Sequence, residues 1–173
     1  MPSVLFVCTV NRFRSPLAAG IFQKALVEEE KERLSPWPLG NASDWQVSSA
    51  GLQAMPMQPV LLDVLEAGKQ LGFDLSGHRS QRVRDLRLAD YDLIIVMQKS
   101  HQEMLLTEHP ELQERIYLLS HVVEYDDYDI PDVYNSPQGV MGVCAILNEL
   151  IRRSLAYICV LAIAMHNKRA SAA

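Results

Sequence analysis

Short apolar runs alternate with longer helical patterns along most of the chain. The first run, Val-Leu-Phe-Val at residues 4–7, contains no polar residue, which is typical of a parallel strand buried on both faces. Strands alternating with helices predict a single parallel α/β sheet with helices on both faces. Further strands are predicted at residues 45–49, 91–97 and 116–119, and helices begin near Pro16, Val60, Ser100 and Val140.

The last helical pattern covers residue 140 to about residue 167, and residues 168–173 are expected to form a frayed tail. The total of 173 residues suits one domain, expected to span residues 1–167. The most apolar stretch, residues 155–165, is shorter than the roughly 20 residues that a membrane crossing needs. No basic segment precedes the first apolar run. These features predict a cytoplasmic protein that does not associate with membranes.

Charge and cysteine content narrow the possible functions. The 16 Lys and Arg against 21 Asp and Glu give a formal net charge of −5, so nucleic acid is not an expected partner. Cys8, Cys144 and Cys159 form no Cys-x-x-Cys pair, and neither a metal site nor a disulfide framework is expected. We expect a monomer or a weak homodimer.

The loop after the first strand carries the candidate chemistry, because ligands of such folds bind beyond the carboxyl ends of the strands. A short loop that closes onto a helix N-terminus turns backbone N–H groups inward, toward an anion. Arg14 offers two parallel donors to phosphate oxygens, and Ser15 suits the N-cap. The same field favours the thiolate of Cys8, which would then be a nucleophile. The alternative for Cys8 is a small buried hydrophobic residue at a strand end.

Around this loop the sequence resembles the low-molecular-weight protein tyrosine phosphatases, which are related to thioredoxin-coupled arsenate reductases and bacterial arginine phosphatases. The family's loop is Cys-x-Gly-Asn-x-Cys-Arg-Ser. The resemblance implies a four-stranded parallel sheet with strand order 2-1-3-4 and a phosphate loop between strand 1 and helix 1. The matching positions are Cys8, Asn11, Arg14 and Ser15 in the loop and residues 49–51, 75–80, 91–97 and 130–134 elsewhere.

The resemblance also implies a mechanism that needs no metal or other cofactor. Cys8 would attack phosphorus and form a phosphocysteine, while Arg14 holds the phosphate oxygens. Asp132 would protonate the leaving phenolate and then activate water, and Ser15 would hydrogen-bond the sulfur. The expected substrate is a phosphotyrosine protein or a small aryl phosphate. The phosphate would be bound along Thr9, Val10, Asn11, Arg12, Phe13 and Arg14.

Other residues are assigned supporting roles by the same resemblance. Asn11, Ser49 and His78 would brace the loop with polar contacts. Arg12 and Tyr134 would line the mouth of the substrate pocket, where an aromatic ring can stack on a substrate ring.

Two departures from the family pattern lead to other hypotheses. Val10 stands where the family has Gly, and a β-branched residue would strain the loop if that position needs a positive φ. The alternative function is therefore a weak or inactive member that binds phosphate or a phosphoprotein. Arg12 weighs against an arginine phosphatase, which carries Thr there, and the lack of cysteine in residues 68–90 weighs against an arsenate reductase.

Overall fold

One sheet of four parallel strands forms the centre of the molecule. The structure, a computed structural model, describes residues 1–32, 40–124, 126–132 and 139–172. The strands are β1 (Ser3–Cys8), β2 (Gln46–Gly51), β3 (Leu93–Val96) and β4 (Ile116–Leu118). Their order across the sheet is β2-β1-β3-β4 and all pairs are parallel, which confirms the predicted fold.

Helices cover both faces of this sheet, as predicted. They are α1 (Arg14–Glu32), α2 (Leu62–Gln70), α3 (Lys99–Glu108), α4 (Leu119–Glu124) and α5 (Gly139–Ala172). Among the helices of the described residues, none combines the length and the apolar character needed to cross a membrane.

The central position of β1 explains its apolar sequence. Val4 and Phe6 point to one face and join the core with residues of α1 and α5. Leu5 and Val7 point to the other face and pack with residues of α3, β3 and β4. Because alternate side chains of a strand face opposite sides, a strand between two helical layers has no solvent-facing position.

The carboxyl ends of β1, β2 and β3 meet at one edge of the sheet because the strands are parallel. Leu52 N donates to Cys8 O at 3.0 Å, and Gln53 N donates to Thr9 O at 2.8 Å. The chain leaving β2 therefore runs beside the loop that leaves β1. This edge carries the candidate site.

Element boundaries differ from the sequence-based expectation by a few residues, and two of these differences change a predicted feature. The fourth strand ends at Leu118, and Leu119 begins α4, which the pattern did not predict. Helix α1 begins at Arg14, so Ser15 lies in its first turn and is not the N-cap. The Ser15 hydroxyl lies instead 3.2 Å from Ala50 O and 3.0 Å from Cys8 Sγ, which are the two acceptors within reach of its single O–H.

Helix α5 continues to Ala172, beyond the end that the sequence pattern predicts near residue 167. Arg169 NH1 lies 3.2 Å from Oδ1 of Asp92, a carboxylate buried before β3. His166 Nδ1 lies 3.2 Å from the other oxygen of that carboxylate, and Lys168 forms an ion pair with Glu114. These contacts hold the end of the helix against the base of the sheet.

Candidate active site

The loop between β1 and α1 folds around the sulfur of Cys8. This residue ends β1 and is only 2% exposed. The sulfur accepts a hydrogen bond from the backbone N–H of Asn11 at 3.3 Å, and Ser15 Oγ lies 3.0 Å away. The sulfur is therefore held inside the loop, against polar groups from the middle and the end of the loop.

Asn11 fixes the shape of the loop. Its φ of 56° lies in the left-handed region, which Asn adopts more readily than most residues. Its buried Nδ2 donates to Ser15 Oγ at 2.9 Å and to Ser49 Oγ at 2.8 Å. Its Oδ1 accepts a hydrogen bond from Gln81 N at 3.0 Å. One side chain therefore ties the loop to α1, to β2 and to the segment after α2.

His78 supports the loop from the same side. A carbonyl oxygen can only accept, so His78 Nε2 donates to Asn11 O across 2.8 Å. Burial lowers the pKa of His78, the hydrogen bond to Asn11 opposes this shift, and the charge of Arg79 adds to it. The imidazole is therefore neutral at neutral pH, with its proton on the nitrogen that faces the loop.

Val10 does not strain the loop. Among the described non-glycine residues, a positive φ occurs only at Asn11 and Met57. The left-handed residue of the loop is thus Asn11 rather than its neighbour, and the Val10 side chain is 42% exposed. The expectation of a loop distorted by a β-branched residue is wrong, because the left-handed conformation falls on the next residue.

Gly51 lets the chain after β2 approach the loop closely. A Cβ built there would lie 2.8 Å from Thr9 O, 2.9 Å from Asn11 N and 2.9 Å from the carbonyl carbon of Val10. All three are backbone atoms, which cannot rotate away as a flexible side chain can. The space available for the loop therefore depends on a glycine at this position.

The guanidinium of Arg14 faces the loop rather than solvent. The residue is 1% exposed, and its NH1 donates to Ile130 O at 2.9 Å. Its NH2 donates to Thr9 Oγ1 at 3.2 Å and forms an ion pair with Asp132 Oδ2 at 2.8 Å. The guanidinium thus joins the loop to the segment that carries Asp132.

Asp132 reaches the site because its segment follows the carboxyl edge of β3. Ile130 N donates to Met97 O at 2.8 Å, directly after that strand. Lys99 N, at the start of α3, donates to Asp129 Oδ1 at 2.8 Å. The Asp132 side chain is 25% exposed, so it faces both Arg14 and solvent. A thiol, a guanidinium and a carboxylate therefore share one edge of the sheet.

A model of the low molecular weight phosphotyrosine protein phosphatase family matches residues 3–159. The chain belongs to this family. It is therefore a cysteine-dependent phosphatase, a hydrolase of phosphoric monoesters.

Individual members of the family show the extent of the similarity. A solved low molecular weight protein tyrosine phosphatase from T. tengcongensis shares 31% identity and a TM-score of 0.74, over 91% of this chain and 99% of that chain. The low molecular weight protein-tyrosine-phosphatase Wzb of Escherichia coli K12 is 27% identical, over 89% of this chain and 92% of its own length. A protein-arginine-phosphatase of Geobacillus stearothermophilus is also 27% identical, over 78% and 80%.

The remaining phosphatase residues named from the sequence lie around the loop or outside the described part. Arg12 is partly exposed at the rim, where its Nε donates to Pro59 O at 2.7 Å. The Phe13 side chain is 2% exposed and packs into the core, so only its backbone can contact a phosphate. Tyr134 lies outside the described residues.

Gly51, Gln81 and His101 are residues of the phosphatase site that the sequence analysis did not assign a role. Gln81 contacts the loop through its backbone, which no side-chain pattern reveals. Gly51 stood within a matching motif, but its need for space appears only when two distant segments meet. His101 contacts Thr9 across 92 positions of sequence, and no local signal marks it.

Replacing Gly51 with Ala is expected to lower phosphatase kcat/KM at least about tenfold and to cost about 1–3 kcal/mol of stability, as overpacking does. The added methyl group meets loop backbone on three sides and pushes the loop away from β2. Steady-state kinetics and chemical denaturation measure the two effects. Gly77→Ala is the matched control, because a Cβ there has no atom within 4 Å. Equal effects of the two substitutions would contradict the steric argument.

Proposed function

We propose that the protein hydrolyses phosphotyrosine or similar aryl phosphate monoesters through a phosphocysteine intermediate. The observation that carries this proposal is the grouping of Cys8, Arg14 and Asp132 around one loop, with Arg14 and Asp132 paired at 2.8 Å. A nucleophile, a bidentate cation and a group able to carry a proton are the parts that this reaction needs.

In the first step the Cys8 sulfur attacks phosphorus and the bond between phosphorus and the aryl oxygen breaks. Asp132 gives its proton to that oxygen, so the product leaves as a neutral phenol. The loop N–H groups and Arg14 hold the other phosphate oxygens, whose charge is spread in a loose transition state. The product of this step is a phosphocysteine and a free phenol.

In the second step Asp132 takes a proton from water, and the resulting hydroxide attacks phosphorus. The P–S bond breaks, the electron pair of that bond stays on sulfur, and inorganic phosphate leaves. Ser15 Oγ, 3.0 Å from Cys8 Sγ, and Asn11 N, 3.3 Å away, support the departing sulfur by hydrogen bonding. Asp132 therefore acts as an acid in the first step and as a base in the second.

Arg12 favours an aryl phosphate over a phosphoarginine substrate. The described rim places its positively charged side chain beside the loop, held by Pro59 O at 2.7 Å. Arginine, the product of a phosphoarginine hydrolase, is itself a cation, and like charges close together repel. One relative is named as a protein-arginine-phosphatase, so phosphoarginine is the substrate class to compare directly.

Hydrolysis of p-nitrophenyl phosphate tests the proposal, followed by peptides that carry phosphotyrosine, phosphoserine or phosphoarginine. We expect turnover of the aryl ester and of phosphotyrosine, inhibition by vanadate and no effect of EDTA. Preference for phosphoarginine would replace the substrate class. Absence of turnover with all four substrates, in protein that still binds phosphate, would favour the alternative of a phosphate-binding member.

Replacing Asp132 with Asn is expected to lower kcat/KM, which reports the first step, by about 10²-fold for p-nitrophenyl phosphate, since general acids contribute at least this much. The loss should be larger for phenyl phosphate, because phenolate is the poorer leaving group and depends more on protonation. Kinetics with both esters measures the difference. Asp126→Asn is the control, because Asp126 is exposed in the same segment and hydrogen-bonds the neighbouring N–H of Asp127. A loss independent of the leaving group would contradict the acid role.

A further inference from the structure

His101 lies at the start of α3, directly behind the loop. It is the third residue of the helix, and it is only 5% exposed. Because α3 follows β3, its N-terminal end lies at the same edge of the sheet as Cys8. None of the steps above uses this buried imidazole.

The imidazole contacts the loop through one hydroxyl group. Thr9 Oγ1 lies 3.1 Å from His101 Nε2 and 3.2 Å from Arg14 NH2. A guanidinium can only donate, so Thr9 Oγ1 accepts from Arg14 and its own O–H is available for the imidazole. In this arrangement Nε2 accepts and the imidazole proton is on Nδ1. The three side chains then form a directed chain from cation to hydroxyl to neutral imidazole.

Charge and burial keep the imidazole in the form that this chain needs. Burial and then the charge of Arg14 lower the pKa of His101 to about 4, although Asp129 and Asp132 oppose the shift. The Nδ1 atom is buried and has no hydrogen-bond partner among the described residues. Apolar packing alone would be served better by a side chain without a buried, unpaired nitrogen.

We propose that His101 is a positioning residue, which acts through Thr9 to set the plane of the Arg14 guanidinium for binding an oxyanion. The inference rests on the proposed function and assigns a further part to the same site. Asp132, the other group at Arg14 NH2, changes its charge as it gives and takes a proton. Thr9 and His101 stay uncharged throughout, so they hold Arg14 in both steps.

Substitution of both residues tests the chain of contacts. The variants are His101→Phe, which cannot accept a hydrogen bond, His101→Gln, which can, Thr9→Val and the double variant His101→Phe/Thr9→Val. The measurements are kcat and KM with p-nitrophenyl phosphate and calorimetric binding of tungstate, an oxyanion, to each variant in the Cys8→Ser background. Thermal melting of each variant reports whether it folds.

We expect His101→Phe to lower kcat/KM about tenfold and to weaken tungstate binding in parallel, because coupled neighbours share one interaction. His101→Gln should recover most of both losses, although Gln fills the space no better than Phe. Thr9→Val should reproduce the loss. The double variant should lose no more kcat/KM and tungstate affinity than the more impaired of the two single variants. Recovery by Gln and non-additivity are effects that a purely packing role would not produce.

Three results would overturn the inference. They are unchanged tungstate affinity in folded His101→Phe, a loss in His101→Gln equal to that in His101→Phe, and additive losses in the double variant. If His101→Phe does not fold, tungstate affinity that is weakened in Thr9→Val and near wild type in His101→Gln supports the inference, and unchanged affinity in Thr9→Val overturns it. The wild-type protein could also show no turnover, while tungstate binding still weakens in these variants. That result would contradict the proposed function but support this inference.

Discussion

Replacing Cys8 with Ser is expected to abolish turnover of p-nitrophenyl phosphate, with a loss of about 10⁴-fold or more, while phosphate still binds. The hydroxyl is a far weaker nucleophile than a thiolate and is not ionised near neutral pH. The smaller oxygen fits the space of the sulfur, and the hydrogen bonds from Asn11 N and with Ser15 Oγ can be kept. Chemistry should therefore be lost without loss of the binding loop.

Two measurements separate these effects. Steady-state kinetics gives the loss of turnover, and calorimetric binding of tungstate shows that the loop still binds an oxyanion. Acid quenching of the wild-type protein during turnover, followed by mass spectrometry, should place the phosphoryl group on the peptide that contains Cys8.

The matched control for this substitution is Cys144→Ser. Cys144 is buried in α5, and burial raises the pKa of its thiol, so that cysteine is a poor nucleophile at neutral pH. Its substitution should leave kcat/KM within about threefold of wild type, because the Cys144 thiol takes no part in the two proposed steps. Turnover retained in Cys8→Ser and lost in Cys144→Ser would reverse the assignment of the nucleophile.

The parts of the fold that the sequence predicted are those fixed by local pattern. The apolar run within β1 is buried on both faces. Because no position in the run faces solvent, the run is uninterrupted and the strand can be recognised from the sequence. The pattern does not locate the end of β4, because Leu119 continues the apolar run of that strand although it already belongs to α4. The end of α5 is held by the contact of Arg169 with Asp92, which joins distant parts of the sequence and which no local pattern contains.

The residues of the candidate site also form two groups, those that are close in sequence and those that only the fold brings together. Cys8, Asn11, Arg14 and Ser15 are close in sequence, so one loop shows their spacing, and the resemblance to the family supplied Asp132. The contact of Thr9 with His101 joins positions that are 92 residues apart, and only the packing of α3 behind the loop brings them together. Sequence therefore gives the groups proposed to react, whereas the groups that orient them require the fold.

Replacing Arg14 with Lys is expected to lower kcat/KM by about 10³-fold, close to the loss found when one electrostatic stabiliser of a transition state is removed. Lys keeps the charge but provides one ammonium group in place of a planar fork. Its single ammonium group cannot reproduce the contacts of Arg14 with Ile130 O, 2.9 Å from NH1, and with Thr9 and Asp132 at NH2, and it has no planar pair of donors for a phosphate. Binding of vanadate should weaken as well, because it needs the same fork.

The control is Arg12→Lys, which makes the same chemical change at the partly exposed rim of the same loop. There the charge acts through solvent and has one described anchor, Pro59 O, so kcat/KM should change by less than about threefold. Kinetics with p-nitrophenyl phosphate and inhibition by vanadate compare the two variants under one set of conditions. Losses below about threefold at both positions would show that positive charge near the loop is sufficient, and that the planar fork of Arg14 adds nothing. A large loss at position 14 alone would instead tie catalysis to the geometry of the guanidinium, which is the property that Thr9 and His101 are proposed to control.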